Sequence, residues 1–293
     1  MRTPRFILTL SCTDRPGIVG AVGTFLADSG CNIVESAQFG DVDSGRFFMR
    51  VVAEQLAGHL ARHPRASDTL DGIADGFAPV AKRFGMQWAI HDACAKPRAL
   101  ILVSKQDHCL NDLLYRTRIG ALPMEVVAIV SNHADAAPLA ASYGVPFHHL
   151  PVTAATKPKQ EAKLRAILGE TRAELVILAR YMQVLSDALA RDLAGRAINI
   201  HHGLLPSFKG AKPYHQAYDR GVKLIGATAH YVTGDLDEGP IIDQEVARVD
   251  YNMRADDLVA LGRDVECLAL ARAVKFHLER RVFPNGAKTV VFR

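Results

Sequence analysis

From residue 99 onward, short uninterrupted apolar runs alternate with longer segments that have helical periodicity. The apolar runs cover residues 99–103, 126–130, 175–179 and 198–200, and the helical segments cover residues 109–118, 134–143, 159–168 and 186–193. Uninterrupted apolar strands separated by helices are typical of a parallel sheet that is covered on both faces. The sequence therefore predicts a doubly wound, mostly parallel α/β sheet domain over residues 98–293.

Three more elements are predicted in this second domain. A short helix is expected over residues 214–220, a strand over residues 224–232 and a long helix over residues 255–279. An apolar stripe runs along the long helix, and it consists of Leu258, Leu261, Val265 and Leu268. Such a stripe indicates a helix that packs on the sheet rather than one that contributes to a site.

The first 91 residues have a different pattern. Strands are predicted over residues 5–12, 32–39, 46–52 and 86–91, and helices from Ile18 to about Gly30 and within residues 67–84. The resulting order, β-α-β-β-α-β, is the ferredoxin-like arrangement of an α+β domain. Residues 92–97 end in a proline and are predicted to link this domain to the second one.

Length and composition agree with two ordered domains. The chain has 293 residues, of which 49% are hydrophobic, and its formal net charge of +4 does not demand a nucleic-acid partner. Five cysteines are widely spaced and include no Cys-x-x-Cys pair, which favours reduced thiols and a cytoplasmic location. No segment reaches the apolar length of a membrane span, so no membrane association is expected.

The residues that carry chemistry are concentrated between 197 and 244. Asn199 and His201 lie two apart at the end of a predicted strand, so they face the same side. The loop after the next strand brings Asp235, Asp237 and Glu238. An amide, an imidazole and a carboxylate suit the breakdown of a tetrahedral adduct at a carbonyl group. An Asn-x-His pair alone is weak evidence, because strand ends often carry polar residues without a chemical role.

Other reactive motifs are absent from the sequence. It contains no His-Glu-x-x-His, no Gly-x-Ser-x-Gly, no Walker-type Gly-Lys-Ser/Thr and no Gly-x-Gly-x-x-Gly. The adjacent pairs at 148–149 and 201–202 would point to opposite faces of a strand, so neither pair can chelate one ion. We therefore expect a site without a metal and without a cofactor.

The 197–244 stretch resembles the folate-dependent formyltransferase superfamily. It contains Asn199-x-His201, Leu205-Pro206, His230 and Asp237 in the order and spacing of that superfamily. The resemblance implies that Asn199, His201 and Asp237 are catalytic and that a folate substrate binds beside them. It also implies that the substrate contacts Met182, Val184, Leu185, His230 and Val232.

Within the superfamily, residues 201–217 and the loop at 104–111 most resemble the deformylase branch. The purine-pathway transformylase has a Gly-rich loop after its first sheet strand, which can hold the phosphate of its substrate, whereas Ser-Lys-Gln-Asp-His-Cys-Leu-Asn here has no glycine. The resemblance implies hydrolysis of 10-formyltetrahydrofolate to formate and tetrahydrofolate, which supplies formate for purine synthesis and balances one-carbon folates. His201 is expected to donate a proton toward N10, and Asp237 to position or deprotonate the water. The alternatives are formyl transfer to an amine and, more remotely, a non-catalytic amino-acid sensor.

The first domain resembles an ACT domain, a small-molecule sensing module. The resemblance is carried by Asp14-Arg15-Pro16-Gly17 after the first strand and by Gly30-x-Asn32-Ile33 at the second. It implies an amino-acid effector near Asp14, Gly17, Ile18 and Asn32 and assembly into a homo-oligomer, a dimer or a tetramer. A turn requirement at Gly17 and a strand start at Asn32 would explain the same residues without a ligand.

Overall fold

The computed structural model describes residues 5–56, 69–206 and 213–293. The beginning of the predicted 67–84 helix segment and residues 207–212, which belong to the stretch that resembles the deformylase branch, lie outside these described residues. The chain folds into two compact units. The first unit contains residues 1–95 with 279–283 and 290–293, and the second contains residues 96–278 with 284–289.

The first unit has the predicted β-α-β-β-α-β order and a four-stranded antiparallel sheet, β2-β3-β1-β4. Its elements are β1 (Arg5–Thr13), α1 (Ile18–Asp28), β2 (Cys31–Asp41), β3 (Arg46–Gln55), α2 (Leu70–Phe84) and β4 (Gln87–Asp92). Because side chains alternate along a strand, Phe6, Leu8 and Leu10 of β1 share one face and enter the core against both helices. Thr69 begins α2 as its N-cap, since its hydroxyl accepts a hydrogen bond from the Gly72 amide.

The second unit is the predicted, mostly parallel sheet, in the order β11-β10-β9-β8-β5-β6-β7. Its strands are β5 (Arg98–Val103), β6 (Glu125–Ser131), β7 (Phe147–His149), β8 (Leu175–Leu178), β9 (Ala197–His201), β10 (Leu224–Tyr231) and β11 (Ile241–Arg248). Its helices are α3 (His108–Arg118), α4 (Ala137–Ser142), α5 (Lys157–Thr171), α6 (Asp187–Asp192), α7 (Pro213–Asp219) and α8 (Ala255–Leu278). Strands β5 to β9 are parallel, whereas β10 and β11 are antiparallel to their neighbours.

This topology collects the polar strand ends at one edge of the sheet. The parallel strands β5, β8 and β9 are neighbours, so their carboxyl ends lie together. Strand β10 runs back along β9, and this register pairs His230 with Asn199 and Thr228 with His201. The sequence analysis did not predict β7, which has only three residues, or β11, which is an edge strand.

The packing of α8 differs from the predicted stripe. Leu258 and Val265 are buried as expected, but Leu268 is exposed, and the buried face also includes Glu266. A buried carboxylate requires a charged or hydrogen-bonding partner. Helix α8 therefore packs on the sheet, as its stripe predicts, and also contributes a polar group to the interior.

The C-terminal residues return to the first unit, which corrects the assignment of all of 98–293 to the second domain. They contain the hairpin strands β12 (Val282–Asn285) and β13 (Lys288–Val291). The Phe283 ring packs edge-on against Phe48 with centroids 5.9 Å apart. Phe48 belongs to the face of β3 opposite the helices, which the tail helps to cover. This return depends on long-range packing, so the local pattern of residues 279–293 does not reveal it.

The buried ring of Phe283 generates the first testable prediction. Phe283→Ala should lower the free energy of unfolding by about 3–5 kcal/mol, because it removes a buried aromatic side chain and leaves a cavity. It should also accelerate amide hydrogen exchange in β3, although residue 283 is distant in sequence. Denaturant unfolding and hydrogen exchange measure both effects. Val42→Ala, at an exposed turn position, is the control, and a loss of stability no larger than that of the control would contradict the packing.

Candidate active site

A cavity of about 340 Å³ opens at the carboxyl edge of the second sheet. Its wall includes every residue that the sequence analysis assigned to catalysis or substrate binding: Asn199, His201, Asp237, Met182, Val184, Leu185, His230 and Val232. These residues come from the segment after β8, from β9, from β10 and from the loop that follows β10. The structure therefore brings the whole predicted set together around one space.

The loop after β10 carries Asp237 to His201. Asp237 has a left-handed backbone conformation, with φ of 56°, which aspartate tolerates better than most residues do. Two residues later, a Cβ atom on Gly239 would lie only 1.7 Å from the Tyr231 carbonyl oxygen, so glycine is required there. The loop can therefore pack directly on the end of β10. This packing sets the Asp237 Oδ2 atom 3.1 Å from His201 Nδ1.

The Asp237 carboxylate is ionised in this site. Burial alone would raise its pKa, but the hydrogen bond with His201 and the electrostatic attraction of the His201 and His230 rings outweigh burial and hold the pKa well below its usual range. An ionised carboxylate accepts hydrogen bonds and does not donate them. His201 therefore carries a hydrogen on Nδ1, which leaves Nε2 as the ring nitrogen that can exchange a proton. That Nε2 atom is buried and has no hydrogen-bond partner among the described residues.

His230 holds Asn199 and also lies on the cavity wall, and its contact with a substrate stays a prediction. The residue is buried, and its Nδ1 lies 2.8 Å from the Tyr231 carbonyl oxygen, which can only accept a hydrogen bond. Neutral His230 must then accept with Nε2, which is 3.2 Å from the Asn199 amide nitrogen. The contact of 3.6 Å between His230 Nε2 and Asp237 Oδ1 becomes a hydrogen bond only when His230 is protonated. His230 thus orients the Asn199 amide and lies beside the Asp237 carboxylate.

Apolar side chains surround the mouth of the cavity. Met182, Val184 and Leu236 are 57%, 53% and 62% exposed, which is unusual for large apolar residues that lie close together. Leu185 and Val232 continue this surface inward. Apolar walls with a few polar groups at one end are typical of small-molecule sites. The sequence analysis missed Leu236, although a leucine between two aspartates in a loop is a recognisable signal.

A buried polar cluster that the sequence did not reveal lies beside the predicted catalytic residues. Arg180 follows β8, and its Nε atom lies 3.2 Å from Glu266 Oε2. Gln106 accepts hydrogen bonds from Arg180 Nε at 3.2 Å and from Nη2 at 2.7 Å. The other contacts of Glu266 are the Tyr214 hydroxyl at 2.9 Å and His108 Nε2 at 2.8 Å. The cluster joins α8 (Glu266) to the segment after β8 (Arg180), to the beginning of α3 (Gln106 and His108) and to α7 (Tyr214). No local sequence pattern predicts that these segments meet.

Electrostatic shifts show which members of this cluster are charged. Burial would raise the pKa of Glu266, but the hydrogen bond from His108 and the charge of Arg180 lower it below its usual value. Burial and the neighbouring Glu266 charge raise the pKa of Tyr214, so its hydroxyl stays a neutral donor. Burial and the charge of Arg180 lower the pKa of His202 to about 4. The cluster therefore contains one ion pair, Arg180–Glu266, next to a neutral His202.

One group of side chains has metal-binding atoms within reach of one another. The donor atoms of His108, Cys109 and Glu266 lie within 4.8 Å of each other. A cysteine binds metal as a thiolate, but a hydrogen bond with Cys267 and burial hold the pKa of Cys109 well above its ordinary value. Glu266 is already neutralised by Arg180. These contacts disfavour a cation, and the expected absence of a metal stays a prediction.

Three of the four predicted effector residues are exposed, and the fourth is buried. Asp14 and Gly17 are exposed in the loop before α1, and Asn32 is exposed at the start of β2. The Ile18 side chain lies in the hydrophobic core, so it cannot face a ligand in this conformation. A cavity of about 400 Å³ in the first unit lies elsewhere, between α1 and α2. The effector site stays a prediction, and in this conformation Asp14, Gly17 and Asn32 would have to contact the ligand without Ile18.

Comparisons with known proteins agree with both units. The formyl transferase family matches residues 97–274, and the ACT domain family matches residues 6–62. A formyltetrahydrofolate deformylase of Corynebacterium sp. is 53% identical over 99% of this chain and 98% of its own length. The crystal structure of a formyltetrahydrofolate deformylase from Burkholderia mallei has a TM-score of 0.90 and 56% identity over 99% of this chain and all of that one.

A glycinamide ribonucleotide transformylase from Symbiobacterium toebii shares only the second unit. It matches with a TM-score of 0.63 and 30% sequence identity, and the matched region covers 68% of this chain and 95% of the transformylase chain. The fold and the two family matches thus define an ACT domain followed by a formyl transferase domain. With near-complete coverage at more than half identity, the chain belongs to the formyltetrahydrofolate deformylase family.

The donor group around Glu266 leads to a prediction about metal content. Purified protein should contain less than a stoichiometric amount of zinc or iron, because Cys109 is held as a thiol and Glu266 is paired with Arg180. Elemental analysis before and after dialysis against a chelator measures this. One equivalent of metal that disappears in Cys109→Ser would contradict it.

Proposed function

We propose that this chain hydrolyses 10-formyltetrahydrofolate to formate and tetrahydrofolate. The single observation that carries the proposal is the His201–Asp237 contact beside Asn199 on the wall of one apolar cavity. The names of the full-length relatives support the same reaction. We further propose that the formate serves purine synthesis, that the reaction balances one-carbon folates, and that no cofactor takes part.

The cavity suits a flat, partly apolar substrate with one reactive carbonyl. The folate ring system would lie against Met182, Val184 and Leu236, which would then lose their exposure. The formyl group would lie at the polar end, between Asn199 and His201. In this arrangement, contacts with the apolar part of the substrate provide the binding energy, and Asn199 and His201 interact with the reacting atoms.

Asn199 and His201 divide the chemical work. The Asn199 amide donates a hydrogen bond to the formyl oxygen, which becomes an oxyanion when water adds to the carbon. The Nε2 atom of His201 removes a proton from that water and then gives it to N10 as the carbon–nitrogen bond breaks. The formyl carbon leaves with the water oxygen as formate, and N10 keeps the transferred proton.

Asp237 assists without accepting the proton. Because its pKa is depressed, it is too weak a base to deprotonate water efficiently, although the sequence analysis left that role open. Its carboxylate instead receives the Nδ1 hydrogen of His201 and stabilises the imidazolium that forms when Nε2 is protonated. The geometry therefore favours His201 as both base and acid.

The first unit is proposed to control assembly into a homo-oligomer. Its strand β2 is a sheet edge, and the large apolar side chains of Ile33, Val34 and Phe39 are exposed along it. An exposed edge strand with apolar side chains is a liability unless another chain pairs with it. An amino-acid effector is part of the same proposal, since ligand binding between copies would be linked to their association.

The location is proposed to be cytoplasmic. All five cysteines are free thiols in the structure, which is the usual state in a reducing compartment. Among the described residues, no helix has the length and apolar character to cross a membrane. Protease protection in a fractionated cell extract would test the location.

Asn199→Ala, His201→Ala and Asp237→Asn should each reduce kcat by about 10²–10³-fold, because each acts mainly on the transition state. Circular dichroism should remain unchanged. Formate release without any amine acceptor measures the effect and also separates hydrolysis from formyl transfer. His149→Ala and Asp250→Asn, at exposed positions, are matched controls with wild-type turnover. Wild-type turnover in folded His201→Ala would refute the mechanism.

The double variant Ile33→Lys, Phe39→Lys should reduce the mass of the assembly. Pairing of β2 with another copy of the chain would then have to bury two lysine charges at the interface. Analytical ultracentrifugation of the full chain measures this. Val42→Lys, in the turn after β2 with an exposed side chain, is the control for added charge. An unchanged sedimentation coefficient in the double variant would place the contact between copies elsewhere.

A further inference from the structure

Arg180 has an unusual position for a residue without an assigned role. It lies on the wall of the catalytic cavity, is only 8% exposed, and has a left-handed backbone with φ of 64°. Such a conformation is unfavourable for a long side chain and persists only where the surroundings impose it. The Ser104 amide donates a hydrogen bond to the Arg180 carbonyl oxygen, which helps to hold it.

The guanidinium group is fixed on one side and unpaired on the other. Glu266 and Gln106 engage its Nε and Nη2 atoms. Glu266 is 1% exposed and is itself held by Tyr214 and His108. The Arg180 Nη1 atom is buried and has no hydrogen-bond partner in the described parts of the chain. A buried charged donor without a partner is costly, so this atom is suited to a ligand atom that accepts a hydrogen bond.

His201 contributes the complementary atom. Its Nε2 atom is also buried and unpaired among the described residues, and it is an acceptor because Nδ1 donates to Asp237. The cavity wall therefore includes one residue with a free donor and one with a free acceptor. A small molecule that accepts from Arg180 and donates to His201 would satisfy both.

We propose that Arg180 determines which nucleophile attacks, by donating its Nη1 hydrogen bond to the attacking water. The proposal rests on the proposed hydrolysis and names the residue that makes water the acceptor. A water molecule has two lone pairs, so one can accept from Arg180 while the other attacks the formyl carbon. A neutral amine has a single lone pair, which cannot do both. A protonated amine has none and is repelled by the guanidinium charge.

The same step would be formyl transfer if an amine occupied this place. The carbon–N10 bond of the substrate would break, the amine nitrogen would bond to the formyl carbon, and one amine proton would pass through His201 to N10. No other reactant is needed. Arg180 thus separates the two outcomes through one hydrogen bond, while Asn199, His201 and Asp237 serve both.

The test measures how the formyl group is partitioned between water and a small amine. Purified full-length variants turn over 10-formyltetrahydrofolate with and without hydroxylamine, and formate and formohydroxamate are both quantified against a blank without enzyme. Arg180→Gly removes the side chain and suits the left-handed backbone. We expect its ratio of formohydroxamate to formate to rise by roughly 10–100-fold over wild type, the effect of one hydrogen bond to a charged group.

Three variants make the result decisive. Arg172→Gly removes an arginine that also has a left-handed backbone, φ 48°, but lies after α5 and away from the cavity wall, so its ratio should equal that of wild type. Arg180→Gly with Glu266→Gln avoids an unpaired buried carboxylate and should show the same raised ratio. Arg180→Lys replaces the glycine variants if either of them fails to fold. Its ratio of formohydroxamate to formate should also rise, because a lysine ammonium group cannot reproduce the fixed geometry of the guanidinium donors.

Two failures are distinguishable. If wild type releases no formate from 10-formyltetrahydrofolate, the proposed hydrolysis itself is wrong. If wild type releases formate and the folded Arg180 variants are slower but keep the wild-type ratio, Arg180 has only a structural role and the inference is overturned. A purely structural defect lowers both products together, so it leaves the ratio unchanged.

Discussion

The contact between the Asp237 carboxylate and His201 Nδ1 is the interaction on which the site depends. It decides which ring nitrogen carries the hydrogen, and hence that Nε2 is available to a reacting proton. It works because the carboxylate stays ionised, with its pKa depressed by the neighbouring His201 and His230 rings despite burial. An ionised Asp237 in turn needs a loop that packs tightly on β10, which Gly239 permits. The backbone conformation of the loop after β10, the charge of Asp237 and the tautomer of His201 therefore depend on one another.

The sheet supplies the rigidity that this constraint requires. Asn199 and His201 belong to a strand with neighbours on both sides, and antiparallel β10 pairs His230 directly with Asn199. Each of these two proposed catalytic groups consequently has a second residue that orients it: His230 for the amide and Asp237 for the imidazole. Groups held in this way need little reorganisation during the reaction, which is the main source of electrostatic catalysis in preorganised sites.

A solved transformylase matches 68% of this chain over 95% of its own length, so the fold alone does not choose between water and an amine. The choice must come from groups that contact the nucleophile. In this chain, the neighbouring groups are a buried ion pair, Arg180–Glu266, and a histidine kept neutral by burial and by that arginine. The difference between a hydrolase and a transferase can thus reside in a single positioned donor rather than in a different catalytic set.

The sequence by itself determined the two kinds of sheet, most element positions and the residues around the cavity. Periodicity is a local property, and the spacing of Asn199, His201 and Asp237 follows from one strand–loop–strand segment. Only the tertiary structure decided what depends on distant parts of the chain: the tail that returns to the first unit, the role of His230, the burial of Ile18 and the pairing of Arg180 with Glu266. Residues 180 and 266 show the reason, since each looks like an ordinary surface charge until packing of α8 against the sheet removes both from water.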